Sequence, residues 1–269
     1  AKAPYLLAGG GTTAEGAEKA SEEQLREVDA AAVAEAGRPL VGTLEDGGVI
    51  DPDVLWSCTT CGACVEQCPV DIEHVDHIVD MRRYQVMIES AFPSEAGTML
   101  KNLEKKGNPW GLAKKQRLEW TKEVQRDAGF EVPVVGKDIE DLSEVDYLYW
   151  VGCAGALEDR AKKTTKAFAE LLHIAGVKFA IMGGDEKCTG DSARRLGNEP
   201  LFQELGMANV ASLNMAFGEL LDEQGNPDPA SRKPRSAKKI VATCPHCLNT
   251  LANEYPQLGG EYEVIHHTQ

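Results

Sequence analysis

The hydrophobic positions along this chain change rhythm near residue 145. Before it, apolar residues recur three or four apart, the period of helices with one buried stripe. Ser21-Glu22-Glu23-Gln24 is a capping box and predicts a helix from about Glu22 to Ala36. Leu40 to Thr43 and Gly48 to Ile50 read as a short hairpin, and Asp51-Pro52 as the cap of a short helix leading to Trp56. Asp71 is expected to cap a helix over Ile72 to Glu89, with Val75, Ile78, Val79, Tyr84 and Met87 on its apolar face. A further helix, Ser94 to Lys106, stops at Gly107. Asn108-Pro109-Trp110-Gly111 then reads as a break anchored by a buried aromatic, and Lys114 to Arg126 as a mostly polar helix.

Beyond residue 145, Tyr147 to Val151 is almost continuously apolar, as in a strand covered on both faces. Val177 to Met182, Ile240 to Thr243 and Tyr262 to Ile265 are further strands. Helices are expected between them at Ala156 to Ala175, at Asp191 to Leu221 with a break near Gly197-Asn198-Glu199-Pro200, and at Pro245 to Tyr255. Asp222 to Lys239 is a polar insertion. This alternation predicts right-handed parallel crossovers and a doubly wound sheet. The fold class is therefore α+β overall: a mainly helical module over 1–126, a linker over 127–145 and an α/β parallel-sheet domain over 146–269.

Composition narrows the function classes. Hydrophobic residues make up 42% and charged residues 26%, ordinary for a globular protein. The net charge of -15 argues against nucleic acid as a partner and against direct docking on an anionic membrane surface. Residues 1–57 carry 11 acidic and 4 basic side chains, a net of -7, which serves solubility or else offers a face to a basic partner. The longest apolar run, Tyr147 to Leu157, is too short to span a bilayer. Ala1 opens the chain without a secretory leader, and the chain stops at Gln269 soon after an apolar stretch. Both ends suggest a piece of a longer protein. The 8 cysteines are accordingly read as reduced and ligating.

Four of them form Cys58-x2-Cys61-x2-Cys64-x3-Cys68-Pro69, the spacing of bacterial ferredoxins. A tight loop must bring three thiolates to one cube, and Gly62 lets its backbone approach. Zinc is the competing reading, although it usually takes two separated pairs. His74 and His77 nearby read as solvated or capping residues. The last cysteine of this motif ordinarily serves the second cluster of a pair. The chain holds one copy of the motif, so Cys68 is expected to reach for a cluster whose other ligands lie elsewhere.

The other four, Cys153, Cys188, Cys244 and Cys247, are scattered in sequence but all follow predicted strands. Carboxyl ends of parallel strands are where open α/β sheets hold ligands. A metal or redox site, four buried structural cysteines, and a dithiol at Cys244 and Cys247 remain alternatives on this pattern. His246 is a possible donor near them, or simply a polar residue at a helix start. Asp185, Glu186, Lys187, Asp191, Arg194 and Arg195 are nearby polar groups that could tune a potential or bind a carboxylate, or remain ordinary surface charges. The basic stretch Arg232, Lys233, Arg235, Lys238 and Lys239 reads as a solvated loop.

Taken together with Asn108-Pro109-Trp110-Gly111, Val151-Gly152-Cys153, Lys187-Cys188-Thr189-Gly190-Asp191 and Cys244-Pro245-His246-Cys247, these motifs resemble iron–sulfur oxidoreductases that join a ferredoxin-like module to cysteine-rich CCG domains. That family includes heterodisulfide reductase catalytic subunits and iron–sulfur subunits of glycerol-3-phosphate, lactate and glycolate oxidation. The resemblance is nearest to the membrane-bound type that oxidises electron-transfer flavoprotein, and covers the chain from about Val41 onward. It implies a [4Fe-4S] cluster on Cys58, Cys61 and Cys64, a neighbouring cluster reached by Cys68, and a catalytic iron–sulfur cluster, cubane or non-cubane, on Cys153, Cys188, Cys244 and Cys247. It also implies electrons passing from electron-transfer flavoprotein, or another flavin donor, to a haem- and quinone-binding membrane domain at the cytoplasmic face. A heterodisulfide reductase-like or hydroxy-acid-oxidising subunit is the alternative, and a plain electron carrier or zinc-stabilised scaffold the next. The family's paired Cys-Cys-Gly is Cys188-Thr189-Gly190 here, one thiol fewer.

Overall fold

In the computed structural model, which describes residue 30 and residues 32–218 and 238–269, Asp51 accepts a hydrogen bond from the Asp53 N–H at 2.8 Å. Pro52 takes the first helical position of α1 (Pro52–Ser57), where its missing N–H costs nothing. The helix α2 (Ala63–Glu66) starts at Gly62, whose φ of 75° is left-handed. The helix α3 (His74–Tyr84) starts later than the sequence suggests. Asp71 sits at φ 52° instead of capping it, and Glu73 precedes the first turn without a side-chain bond. A π turn over Gln85–Glu89 follows. Val79 and Val86 are buried, while Tyr84 and Met87 of the expected apolar face are exposed.

The expected hairpin is absent. Val41 and Ile50 meet only in an isolated bridge of parallel sense. The Thr43 hydroxyl bonds the Asp46 carboxylate at 2.7 Å and accepts from its N–H at 3.2 Å, which closes a local turn in place of a ladder. Residues 32–36 are helical, while the capping box at Ser21 lies outside the described residues.

The chain divides into two compact units between Ala91 and Phe92. The second opens with α4 (Ser94–Lys106), closed by Gly107 at φ 65° as its sequence dictates. The anchor of the following break is Asn108 rather than the aromatic: Trp110 is 45% exposed and Asn108 1%. The Asn108 amide donates to the Lys106 and Leu112 carbonyls and accepts from the Leu112 N–H, satisfying the turn from within. A 3₁₀ turn, Lys114–Leu118, leads into α5 (Glu119–Ala128). Residues 127–145, expected as a linker, pack into the core instead. Phe130, Val132, Val134 and Leu142 are buried, and Val134 bridges Ile181 beside the sheet edge. A connection carrying that much apolar surface is cheaper to bury than to solvate.

The strands are β1 (Tyr147–Trp150), β2 (Phe179–Ala180), β3 (Lys239–Ala242) and β4 (Glu263–His266), all parallel, in the order β2-β1-β3-β4. Leu148 pairs with Ile240 and Trp150 with Ala242. Chain progression therefore reverses direction at β1, and right-handed crossovers then put helices on opposite faces. One face is a single cluster that includes Trp120, Tyr149, Phe179, Ile181 and Val241. The helix expected after β1 is two, α6 (Gly152–Leu157) and α7 (Asp159–Ile174). Glu158 divides them and accepts from the Arg160 and Ala161 N–H groups. The long downstream helix is likewise broken, into α8 (Asp191–Arg195) and α9 (Glu199–Ala216), at Asn198, which caps α9 with Pro200 in its first turn. Residues 219–237, which include most of the polar insertion with Arg232, Lys233 and Arg235, lie outside the described residues. Among the described residues no helix is long and apolar enough to cross a membrane.

Trp120 is fully buried, on the segment that precedes the first strand. Trp120→Ala should destabilise the second unit by about 3–5 kcal/mol, read as a fall in the urea midpoint with unchanged slope.

Candidate redox site

The reversal of strand order puts the carboxyl ends of β1 and β3 side by side, and each is followed by cysteine. Cys153 lies in α6, three residues beyond β1. Cys244 precedes α10 (Pro245–Asn249), with Pro245 at its first position and Cys247 within it. Gly152 has φ 74°, and a Cβ there would lie 3.2 Å from the Cys247 sulfur. Glycine thus permits both the turn out of β1 and the approach of Cys247.

Cys188 comes from the loop after β2 and is held by a polar network. The Asn209 carbonyl on α9 accepts from the Lys187 N–H at 3.1 Å, and its amide donates to the Cys188 carbonyl and to the Tyr255 hydroxyl, both at 3.0 Å. Tyr255 in turn donates to the Thr189 carbonyl at 3.0 Å. Gly190, at φ 88°, passes so close to Phe202 that a Cβ would stand 2.9 Å from its ring. The Cys188 N–H donates to the Gly107 carbonyl at 2.8 Å, and the Cys153 thiol reaches the same carbonyl at 3.7 Å. The Asn108 turn therefore positions a backbone acceptor against two of the cysteines.

The thiols meet in two pairs. The Cys153 and Cys188 side chains interact, which together with burial pushes Cys153 up; the same interaction draws Cys188 down against its own burial. Cys247 donates to Cys244, which lowers Cys244 to about 6, helped by the Cys247 and His246 N–H groups at the helix start. Cys247 is pushed up by that same bond and by burial, and it also feels the charges at Cys188 and Cys153. Within each pair one thiol is pushed up and its partner is drawn down. Among the described residues, no three His, Cys, Asp or Glu side chains are gathered tightly enough to close around a single metal ion.

The charge of this crevice is answered by one buried cation. Arg117, in the 3₁₀ turn before α5, is 4% exposed, donates to the Cys153 sulfur at 3.4 Å and pairs with Glu186. Burial works against its charge, but Glu186 and Cys153 outweigh burial and hold its pKa above the ordinary value. Glu186 is pushed up by its own burial, opposed by Arg117 and by the Val151 N–H, which donates to it at 3.1 Å. Removing one partner of such a pair typically costs about 3–5 kcal/mol. Toward solvent, Asp191 on α8 accepts from Arg195 at 3.3 Å and lies 3.1 Å from the His246 ring. Glu254 pairs with both Arg194 and Arg195. His246 is mostly exposed.

In the first unit, Cys61 and Cys64 are exposed while Cys58 and Cys68 are half-buried. The Thr60 N–H donates to the Cys58 sulfur at 3.3 Å and the Ile72 N–H to the Cys68 sulfur at 3.4 Å. Cys68 is drawn down by the Ile72 and Val70 N–H groups, and Cys61 by the Ala63 N–H and the Thr59 side chain. The loop's start is fastened by buried Arg82, whose guanidinium donates to the Leu55 carbonyl at 2.8 Å and the Cys58 carbonyl at 2.6 Å, and lies over the Trp56 ring. His74 opens α3 and stands outside this bonding. Soft thiolate donors with backbone N–H groups aimed at sulfur are the donor set an iron–sulfur group takes. The two thiol pairs of the second unit, with glycine beside Cys247 and a cation beside Cys153, fit such a group in kind as well.

Sequence reasoning overlooked Arg82 and Arg117. Arg82 lies within the helix expected over Ile72 to Glu89 and Arg117 within the stretch Lys114 to Arg126 read as mostly polar, and neither is singled out. Arg117 lies one residue before Leu118 and three before buried Trp120, and that proximity was the only available signal.

The cysteine-rich domain family CCG matches residues 147–252. The chain is 43% identical, over 83% of its length, to a probable iron-sulfur-binding oxidoreductase, FadF, of Bacillus subtilis, covering 28% of that protein. It is 40% identical over its whole length to an EtfAB:quinone oxidoreductase of Syntrophomonas wolfei, covering 33% of it. Similarity extends, at 35% over 83% of the chain, to a probable membrane-anchored ferredoxin of Chromohalobacter salexigens, 30% of which is covered. The chain thus spans about a third or less of the length of these relatives. No solved structure matches it.

In the metal-free chain, Cys244 should react with iodoacetamide as a thiolate. Its alkylation rate should rise as pH increases through about 6, because the lowered pKa leaves the sulfur charged at neutral pH. Mass spectrometry of the labelled peptide reads this, and Cys247→Ser should move the midpoint up toward that of an ordinary thiol.

Proposed function

This is a chain of the CCG-domain iron–sulfur oxidoreductases, and we propose that it relays single electrons from reduced electron-transfer flavoprotein toward a membrane quinone. The observation that carries this reading is the meeting of two thiol pairs at the carboxyl ends of β1 and β3, beside a buried arginine. An electron-transfer site needs soft ligands, little room for water and charges that do not move when an electron arrives. The crevice supplies each: Cys153 and Cys247 are buried, Asn209 and Tyr255 hold the Cys188 loop, and Glu186 holds Arg117.

In this reading Cys58, Cys61 and Cys64 hold a [4Fe-4S] group and Cys68 contributes to a neighbouring one. Cys153, Cys188, Cys244 and Cys247 hold a second iron–sulfur group near the flavin donor. Such groups supply reversible one-electron storage when bound. The chain's residues do the rest: thiolates ligate, N–H groups of Thr60 and Ile72 bond the sulfurs, and buried apolar side chains exclude water. The similarity to an EtfAB:quinone oxidoreductase supports the choice of donor and acceptor, and the similarity to a probable membrane-anchored ferredoxin supports attachment to a membrane, which this reading puts at the cytoplasmic face.

Anaerobic reconstitution with ferrous iron and sulfide should give a brown chain that bleaches when reduced electron-transfer flavoprotein is added. Cys153→Ser should remove iron from the second site and leave the Cys58 loop loaded. A colourless chain that takes up stoichiometric zinc in preference to iron sinks the proposal.

A further inference from the structure

Arg117 lies outside the CCG domain match yet reaches into its cysteines. The 3₁₀ turn that carries it, Lys114–Leu118, is brought there by the Asn108 turn on one side and by buried Trp120 on the other. Its guanidinium is divided between two acceptors, the Cys153 sulfur through Nη1 and the Glu186 carboxylate through Nη2. Glu186 is itself bonded by the Val151 N–H, two residues before Cys153, so the three groups form one rigid bracket at the end of β1. The Arg117 Nε is buried without a hydrogen-bond partner. A side chain kept only to cross-link backbone would be expected to use that donor, whereas here its orientation serves the sulfur.

We infer that Arg117, aligned by Glu186, is the positioning residue that raises the reduction potential of the iron–sulfur group held at Cys153 and Cys188. The inference rests on the proposed function, since it requires that group. One electron enters from a reductant of the reduced-flavin class, and no bond forms or breaks in the protein. Added negative charge in a dry crevice is opposed by the thiolates already there. A fixed cation and an N–H···S bond lower that opposition, so the reduced state gains more than the oxidised one. Arg117 keeps its proton throughout, which leaves the electron uncompensated by proton uptake from this group. Glu186 works against the cation electrostatically while fixing its direction.

The two residues therefore predict shifts of opposite sign. The test is a redox titration, followed by electron paramagnetic resonance, of the full chain carrying Cys58→Ser, Cys61→Ser, Cys64→Ser and Cys68→Ser, so that only one site is read. Glu186→Gln, which leaves the cation without its counter-charge, should raise the midpoint potential. Arg117→Met combined with Glu186→Met, which avoids stranding a buried carboxylate, should lower it. Arg117→Lys keeps the charge but loses the fork, and should fall between the double variant and the parent. If the double variant does not fold, Glu186→Gln and Arg117→Lys still carry the prediction, because they must move in opposite directions. Variants with parental iron content and parental potential overturn the inference and leave the proposed function standing, as do shifts of one sign in all variants. A parent that takes up no iron at Cys153, Cys188, Cys244 and Cys247 overturns both.

Discussion

The parallel pairing of β1 with β3 is the constraint on which the second unit depends. Leu148, Tyr149 and Trp150 register against Ile240, Val241 and Ala242, and this brings together two chain segments separated by some ninety residues. Because both strands run the same way, both end at the same edge of the sheet, and both are followed at once by cysteine. Nothing in the cysteines' own chemistry brings Cys153 near Cys247. The ladder and the burial of Tyr149, Trp150, Ile240 and Val241 do so.

A crevice made this way collects negative charge in a chain that is already acidic. Backbone N–H groups at the start of α10 answer part of it at Cys244. The rest falls to Arg117, which arrives from a segment that the strand pattern assigns to no sheet. Its carboxylate partner Glu186 comes from the loop that delivers Cys188, so three separate stretches of sequence must dock before the site is electrically balanced. The residues expected to be a linker, 127–145, help that docking by burying Phe130, Val132 and Val134 and by adding a bridge beside β2. Apolar residues in a connection are a sign of burial, and here they outweighed the irregular pattern that suggested a spacer.

Local chemistry was legible wherever one residue type decides a conformation. Pro52 and Asp51 start α1, Gly107 ends α4, and Asn198 with Pro200 breaks the long helix, all where the sequence put them. The four strands were legible because parallel strands buried on both faces are continuously apolar. Readings failed where a neighbour, rather than the residue, made the choice. Asp71 bends into the left-handed region instead of capping α3. Met87, within a π turn, is exposed. Asn108 displaces Trp110 as the anchor of its turn, because a buried amide that bonds its own loop three times leaves the ring no position inside.

The sequence by itself determined the cysteine spacing of the first loop, the alternation of strands and helices, and hence the edge of the sheet on which Cys153, Cys188, Cys244 and Cys247 would emerge. These follow from covalent order and short-range periodicity. Only the tertiary structure decided which thiols pair, that Cys153 meets Cys188 while Cys244 meets Cys247, and that the balancing cation is Arg117. The contacts of Cys153 with Cys188 and with Arg117 join residues far apart in sequence. A charged side chain carries no local mark of whether the fold will leave it in water or enclose it beside a sulfur.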